Sequence, residues 1–305
     1  MLVLLINSNK MSKITIYSEA CNSVSGFQKM GEEFVRKLVI NNRARSTHEN
    51  YLRQMSKLAL YYKRTPLDID VNELEEYLYF LIQKDTDSRS SFKHLVYGLR
   101  KLYQLFDKEE LNLALPIINK PNKLPVVLAK EDIKNLLNTL EHIRERIMFG
   151  LIYDTGLRIN ELSNLLIQDV DLNREQIHIR QSKNKKDRYV PMSSHCIRGI
   201  KKHMALNNPK DYLFERHGSK GMPISHTRIR TLFNEALVKA GIKKKASVHT
   251  LRHTYATHQL EAGQNIMVLK DLLGHANIQT TLIYLHIAQL DTVKKFGCLE
   301  YLFAK

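Results

Sequence analysis

The sequence predicts a mainly α-helical protein with one small β-hairpin, arranged as a helical N-terminal domain followed by a mixed α/β domain. Three observations lead there. Apolar residues recur at helical spacing across most of the 305 residues, which include only 12 Gly and 7 Pro. A basic, proline-spaced break near residues 116–125 interrupts that periodicity. Two short segments, 176–180 and 188–192, instead alternate or favour β-branched residues on either side of a polar turn. The length is too great for one small core and suits two compact domains.

Taken in order, residues 1–21 read as a flexible leader. Leu2 to Ile6 are apolar, but the run is short and has no basic residue before it, so it does not fit a signal peptide. Met11 offers an alternative start that would make the first ten residues dispensable. Residues 22–114 read as a helical domain. Phe27, Phe34, Leu38 and Ile40 mark its first helix, and Tyr51, Met55, Leu58 and Tyr62 its second. Val71, Leu74, Leu78 and Leu81 mark a third, with Asp70 as N-cap ahead of Glu73. Phe92, Val96, Leu99, Tyr103 and Phe106 mark a fourth.

Pro116, Pro121 and Pro125, with Asn119, Lys120, Asn122 and Lys123 between them, form an extended linker over 115–126. The second domain spans 127–290. Helices are expected over 130–140 and 144–153, with Gly156 as a C-cap and the helix resuming over 158–166. The hairpin follows, its turn running from Ser182 to Asp187. Helices return over 194–205, over 225–240 and for most of the remaining chain, with Gly263 and Gly274 at helix ends. In the tail, 291–305, Val293, Phe296, Leu299, Tyr301 and Leu302 are spaced for a short amphipathic helix that docks on a neighbouring protomer or on its own domain.

Composition narrows the function classes. Forty-seven Lys and Arg against 31 Asp and Glu leave a formal charge of +16, which attracts polyanions, nucleic acid foremost. The three cysteines, Cys21, Cys196 and Cys298, are scattered without CxxC pairing, which argues against a zinc site or disulfide framework and fits a reducing cytoplasm. No segment approaches the roughly 20 apolar residues that a membrane-spanning helix needs.

The residues suited to chemistry fall into three segments. Arg158 follows the Gly156 break at a helix start, where a guanidinium fork and backbone amides can both face a phosphate. His249 and Arg252 lie three apart on one helical face, with Ser247 as N-cap: one group moves protons near neutral pH, and the other holds charge on a phosphate. His275 follows Leu272-Leu273-Gly274, and Tyr284 stands nine residues later in an amphipathic stretch. Tyr284 is one of 14 tyrosines, so only the joint order and spacing give it weight.

The segments stand as TGLRINEL (155–162), HTLRHTYAT (249–257) and LLGHANIQTTLIY (272–284), in the order R…K…HxxR…H…Y. This pattern resembles the tyrosine recombinase, or phage-integrase, family. The resemblance covers about 130–290 clearly and 22–114 more loosely, where it implies a helical core-binding domain that contacts DNA ahead of the catalytic domain. It implies that Arg158 and Arg252 hold the non-bridging oxygens of a scissile phosphate and that His249 acts as acid or base at the tyrosyl oxygen. His275 would hydrogen-bond the phosphate, and Tyr284 would attack it. The family's catalytic lysine sits in the hairpin turn, here Ser182-Lys183-Asn184-Lys185-Lys186-Asp187-Arg188-Tyr189-Val190-Pro191. Counting back from Pro191 selects Lys183, although the family's flanking glycines are missing and Lys185 and Lys186 share the turn.

Chemistry of this kind needs no cofactor and no metal. Two guanidiniums and a histidine donor stabilise charge spreading onto the phosphate oxygens, and a lysine protonates the 5′-oxygen as it leaves. The 3′-phosphotyrosyl ester keeps the bond energy for rejoining, so ATP is not required. Exchange between two duplexes requires four strand cuts, and the resemblance implies four protomers for it: a homotetramer on double-stranded DNA, with or without a related recombinase. The layout is closest to the compact Xer-like members, and both chromosome-dimer resolution and mobile-element integration or excision stay open. So do a type IB topoisomerase-like relaxing activity and a DNA-binding regulator on the same fold.

Overall fold

The helices follow from the periodicity. The computed structural model describes residues 15–83, 89–113, 115–118, 124–180 and 187–289. The chain divides between Pro121 and Asn122 into two compact units. The first contains α1 (Ile16–Ser23), α2 (Phe27–Ile40), α3 (Arg45–Tyr62), α4 (Val71–Gln83), α5 (Arg89–Leu105) and α6 (Glu109–Leu113). Phe27, Phe34 and Leu38 of α2, Met55 and Leu58 of α3, Leu74 of α4 and Val96, Leu99 and Tyr103 of α5 are buried in one core. Asp70 accepts from the Glu73 backbone N–H at 2.9 Å and Glu73 accepts from that of Asp70 at 3.1 Å, closing a capping box before α4.

Part of the expected leader is structured. Thr15 caps α1 by accepting from the Ser18 N–H, Ala20 is fully buried, and the Tyr17 ring packs 5.9 Å from that of Phe27. A single cap and one buried face suffice for a two-turn helix whose polar residues hide its period. Leu115, expected in the linker, is buried in this same core. Residues 119–123 of the linker and the tail from 290 onward lie outside the described residues.

The second unit contains α7 (Lys130–Asn138), α8 (Ile143–Thr155), α9 (Ile159–Ser163), β1 (Val170–Asp171), β2 (Gln176–Ile179), β3 (Arg188–Pro191), α10 (Ser194–Asn207), β4 (Glu215–Arg216), β5 (Ser219–Pro223), α11 (His226–Lys239), α12 (Val248–Glu261), α13 (Ile266–Leu273) and α14 (Gln279–Leu282). Two 3-10 turns, Ile167–Asp169 and Ile283–His286, complete it. Strands β1, β2 and β3 form an antiparallel sheet in that order, and β4 pairs with β5. Ile177 opposes Val190 in the β2–β3 register, and both point into the core, as two-residue alternation requires. The helix expected over 158–166 is shorter. It ends at Ser163, and Leu165 turns into the core while its carbonyl accepts from the Leu213 N–H.

Helix α8 carries the core. Met148, Phe149, Leu151 and Ile152 are fully buried, so apolar residues surround most of the helix. Its contact with α10 is close at Gly199, where a Cβ would stand 1.9 Å from Ile147 Cδ1. Among the described residues, no helix is long and apolar enough to cross a membrane.

Candidate active site

Two helix C-termini and one helix N-terminus converge to make the pocket. Helix α8 ends at Gly156 with φ +66°, and α13 ends at Gly274 with φ +62°. Both are left-handed caps that glycine adopts without strain. At Gly156 space matters as well, since a Cβ would lie 2.5 Å from the Tyr255 ring. Helix α12 starts at Ser247, whose backbone N–H donates to Thr250 Oγ1 at 2.9 Å.

Arg252, on α12, is only 1% exposed. Its Nη1 donates to the Gly156 carbonyl and its Nη2 to the Leu273 carbonyl at 2.6 Å. Carbonyls at helix C-termini are unpaired and carry partial negative charge, so two helix ends hold this buried cation without a carboxylate. Burial, then repulsion from Arg158, lowers its pKa to about 9, still charged at neutral pH.

Arg158 precedes α9 as its N-cap and Arg188 opens β3. Both meet on Glu161, whose side chain is 6% exposed. Arg158 donates to Glu161 through its backbone N–H at 2.9 Å and through Nη1 at 2.8 Å, and its Nη2 reaches the Gly274 carbonyl at 3.2 Å. Arg188 makes a fork onto the same carboxylate at 3.0 and 2.8 Å, and its Nε donates to the Leu272 carbonyl at 2.8 Å. Burial alone would raise the Glu161 pKa, but the hydrogen bond and charge of Arg188 and the backbone and charge of Arg158 carry it down to about 2. Two guanidiniums thus share this one carboxylate, and the third, Arg252, rests on backbone carbonyls.

His275 follows the Gly274 cap. Its Nε2 lies 3.1 Å from Arg252 Nη2 and its Nδ1 2.9 Å from Thr281 Oγ1. A guanidinium can only donate, so Nε2 is the acceptor and Nδ1 carries the hydrogen. Burial and the neighbouring Arg252, Arg158 and Arg188 lower its pKa to about 3, which keeps the ring neutral. In this state His275 orients Arg252.

Tyr284, on the second 3-10 turn, is 3% exposed and stacks over His275 with ring centroids 6.4 Å apart. Burial raises its pKa, while Arg252 and Arg158 act to lower it. Its hydroxyl lies 2.9 Å from His253 Nδ1. His249 meets His253 edge to face at 4.6 Å, and burial followed by Arg252 and Arg158 lowers the His249 pKa. The segments 155–162, 249–257 and 272–284 therefore bring Arg158, His249, Arg252, His275 and Tyr284 into one pocket. Lys183 and the other lysines of the hairpin turn lie outside the described residues.

Sequence reasoning assigns no role to Glu161, Arg188 or His253, although all three sit inside the quoted segments. The available signal for His253 was its position four residues after His249, one helical turn along the same face. Glu161 and Arg188 are 27 residues apart and nothing local joins them.

Comparison with known proteins agrees with this geometry. The Phage integrase family matches residues 126–290, and the Phage integrase, N-terminal SAM-like domain matches residues 31–113. A tyrosine recombinase of Thermosipho africanus is 31% identical over 274 residues, covering 84% of this chain and 95% of that one. The tyrosine recombinase XerC of Halalkalibacterium halodurans is 31% identical over 237 residues, covering 71% and 77%. Among solved structures, the XerA recombinase is similar with a TM-score of 0.51 and 27% identity, covering 91% of this chain and 97% of that one. A family match across more than half of the chain, joined to relatives of this identity and coverage, places the chain in the phage integrase family of tyrosine recombinases.

Proposed function

We propose that the chain is a site-specific DNA recombinase that cuts and rejoins strands through a 3′-phosphotyrosyl link at Tyr284, without metal or ATP. The observation that carries this reading is a buried cationic surplus beside a buried tyrosyl hydroxyl. Among the described residues, Glu161 is the one carboxylate paired with Arg158 and Arg188, and Arg252 rests on backbone carbonyls, so the pocket is complementary to an anion that brings its own negative charge. A phosphodiester is such an anion, and charge grows on its oxygens as the tyrosine attacks.

Each group then has a task. Arg158 and Arg252 hold the non-bridging oxygens, each donor contributing about 10²–10³-fold by analogy with oxyanion sites. His249 handles protons at the rim of the pocket. His275 hydrogen-bonds the phosphate. Lys183 protonates the departing 5′-oxygen. Domains over 22–114 and 127–290, joined by the 115–126 linker, contact the duplex, and the formal charge of +16 makes that contact depend strongly on salt. With one nucleophile per chain, exchange uses four protomers, and the reaction belongs in the cytoplasm.

DNA selected by the protein from random duplexes, rebuilt with a nick that lets the 5′ fragment diffuse away, provides the test. In EDTA it is expected to trap a covalent adduct that Tyr284→Phe abolishes while DNA binding persists. An adduct with the Phe variant would overturn the assignment of the nucleophile, and an adduct that requires a divalent cation would overturn the mechanism.

A further inference from the structure

The tyrosyl hydroxyl is held by a histidine outside the set that the family pattern names. His253 Nδ1 lies 2.9 Å from Tyr284 Oη, with the two rings tilted by 48° and their centroids 5.7 Å apart. Among the described residues, no other side chain hydrogen-bonds that hydroxyl. Tyr284 is 3% exposed, so bulk water is not there to take its proton. His253 is fixed by its place on α12, where its backbone carbonyl accepts from Thr257 Oγ1 at 3.0 Å and its ring rests edge to face on His249.

We propose that His253 is a catalytic residue of strand cleavage, accepting the Tyr284 proton at Nδ1 as the phenolic oxygen attacks the scissile phosphate. The proposal rests on the recombinase reading above. As the Oη–P bond forms, the proton moves to Nδ1 and the P–O5′ bond breaks, the 5′-oxygen taking its proton from the general acid. In rejoining, the 5′-hydroxyl attacks and gives its proton back to the general acid, the O5′–P bond forms as the Oη–P bond breaks, and His253 returns its proton to the departing tyrosyl oxygen. The hydrogen of the neutral ring then resides on Nε2.

The electrostatics suit an acceptor. The titratable and charged groups around the ring are Tyr284 on the 3-10 turn and His249 and Arg252 on its own helix. Burial, then His249 and Arg252, lowers the His253 pKa to about 4, so its lone pair is free at neutral pH. A phosphate bound at Arg252 offsets the cationic part of that shift, so proton affinity rises when the substrate arrives.

The test compares wild type, His253→Asn and His253→Ala on the suicide duplex from pH 5.5 to 9, reading DNA affinity and the initial rate of adduct formation. In the Asn variant the side-chain carbonyl stands near the position of Nδ1, so it accepts the hydrogen bond but takes no proton. His253→Asn is expected to bind DNA like wild type and to cleave roughly 10- to 100-fold more slowly at neutral pH. The deficit should shrink as pH rises towards ionisation of the tyrosine itself. It should persist on a duplex whose scissile 5′-oxygen is replaced by sulfur, because a thiolate leaves without an acid while the tyrosine still needs a base. Cleavage by His253→Asn within about twofold of wild type would overturn the proposal, as would full rescue by the 5′-sulfur. If His253→Ala fails to fold, the Asn variant alone decides. Absence of an adduct with the wild-type chain counts against the recombinase reading instead.

Discussion

Replacing Glu161 by Gln removes one charge from the pocket while keeping its shape. Glu161 accepts from Arg158 and Arg188 in four hydrogen bonds of 2.8–3.0 Å, and among the described residues no other carboxylate pairs with those guanidiniums. A carboxyl held at a pKa of about 2, against an ordinary 4.5, contributes about 3 kcal/mol at neutral pH. Removing one partner of a buried ion pair gives a similar cost, about 3–5 kcal/mol, by an independent route. For a domain the size of residues 122–305, that lowers the melting temperature by about 6–12 °C. The pH dependence fixes the cause. Because the folded pKa lies below the unfolded one, the stabilisation is present above pH 4.5 and is lost as pH falls towards 2. The gap between wild type and Glu161→Gln should therefore narrow to about 2 kcal/mol at pH 3.5. Scanning calorimetry of both chains from pH 7 to 3.5 measures it. A melting-temperature difference under about 2 °C at neutral pH, or a gap that does not change with pH, would refute the reasoning.

Two further substitutions test the supports of the pocket. Gly156→Ala introduces a Cβ 2.5 Å from Tyr255 at φ +66° and should cost about 2–4 kcal/mol in urea unfolding; a loss below about 1 kcal/mol would mean that the turn adapts freely. Thr281→Val keeps the volume but removes the acceptor from His275 Nδ1, with an expected cost of about 1–3 kcal/mol and slower cleavage on the suicide duplex. Wild-type cleavage by that variant would show that the tautomer of His275 is fixed elsewhere.

Local rules explain what was legible in the sequence. Helices α2 to α5 follow from apolar residues that repeat every three or four positions, and the two capping glycines follow from periodic runs that stop. Helix α1 escaped because two turns with Ser18, Asn22 and Ser23 carry too few apolar positions to define a period. Strands β1, β4 and β5 escaped because two to five residues, several of them charged or glycine, show no alternation. In the pocket, the residue types and their order are local information. Their partners are not: Arg252 reaches across 96 residues to Gly156, and Tyr284 reaches across 31 to His253. Packing of α12 against the end of α8 creates the first pair, and packing of α12 against the second 3-10 turn creates the other.

That packing also places neutral proton acceptors inside a ring of cations, and the combination ties chemistry to substrate. Burial and the surrounding arginines hold the His275 pKa near 3, while burial, His249 and Arg252 hold that of His253 near 4. Bound DNA would bury both rings further, which lowers their proton affinity, and would add a phosphate charge, which raises it. At about 4 Å and an effective dielectric of about 20, one charge is worth about 4 kcal/mol, or about three pKa units. A phosphodiester seated at that distance would raise the proton affinity of both histidines, in opposition to the added desolvation. On the proposed mechanism, Tyr284 faces a weaker base without DNA than with it. The Arg252 that would hold the phosphate on that mechanism also helps to weaken the base beside Tyr284 when no phosphate is bound.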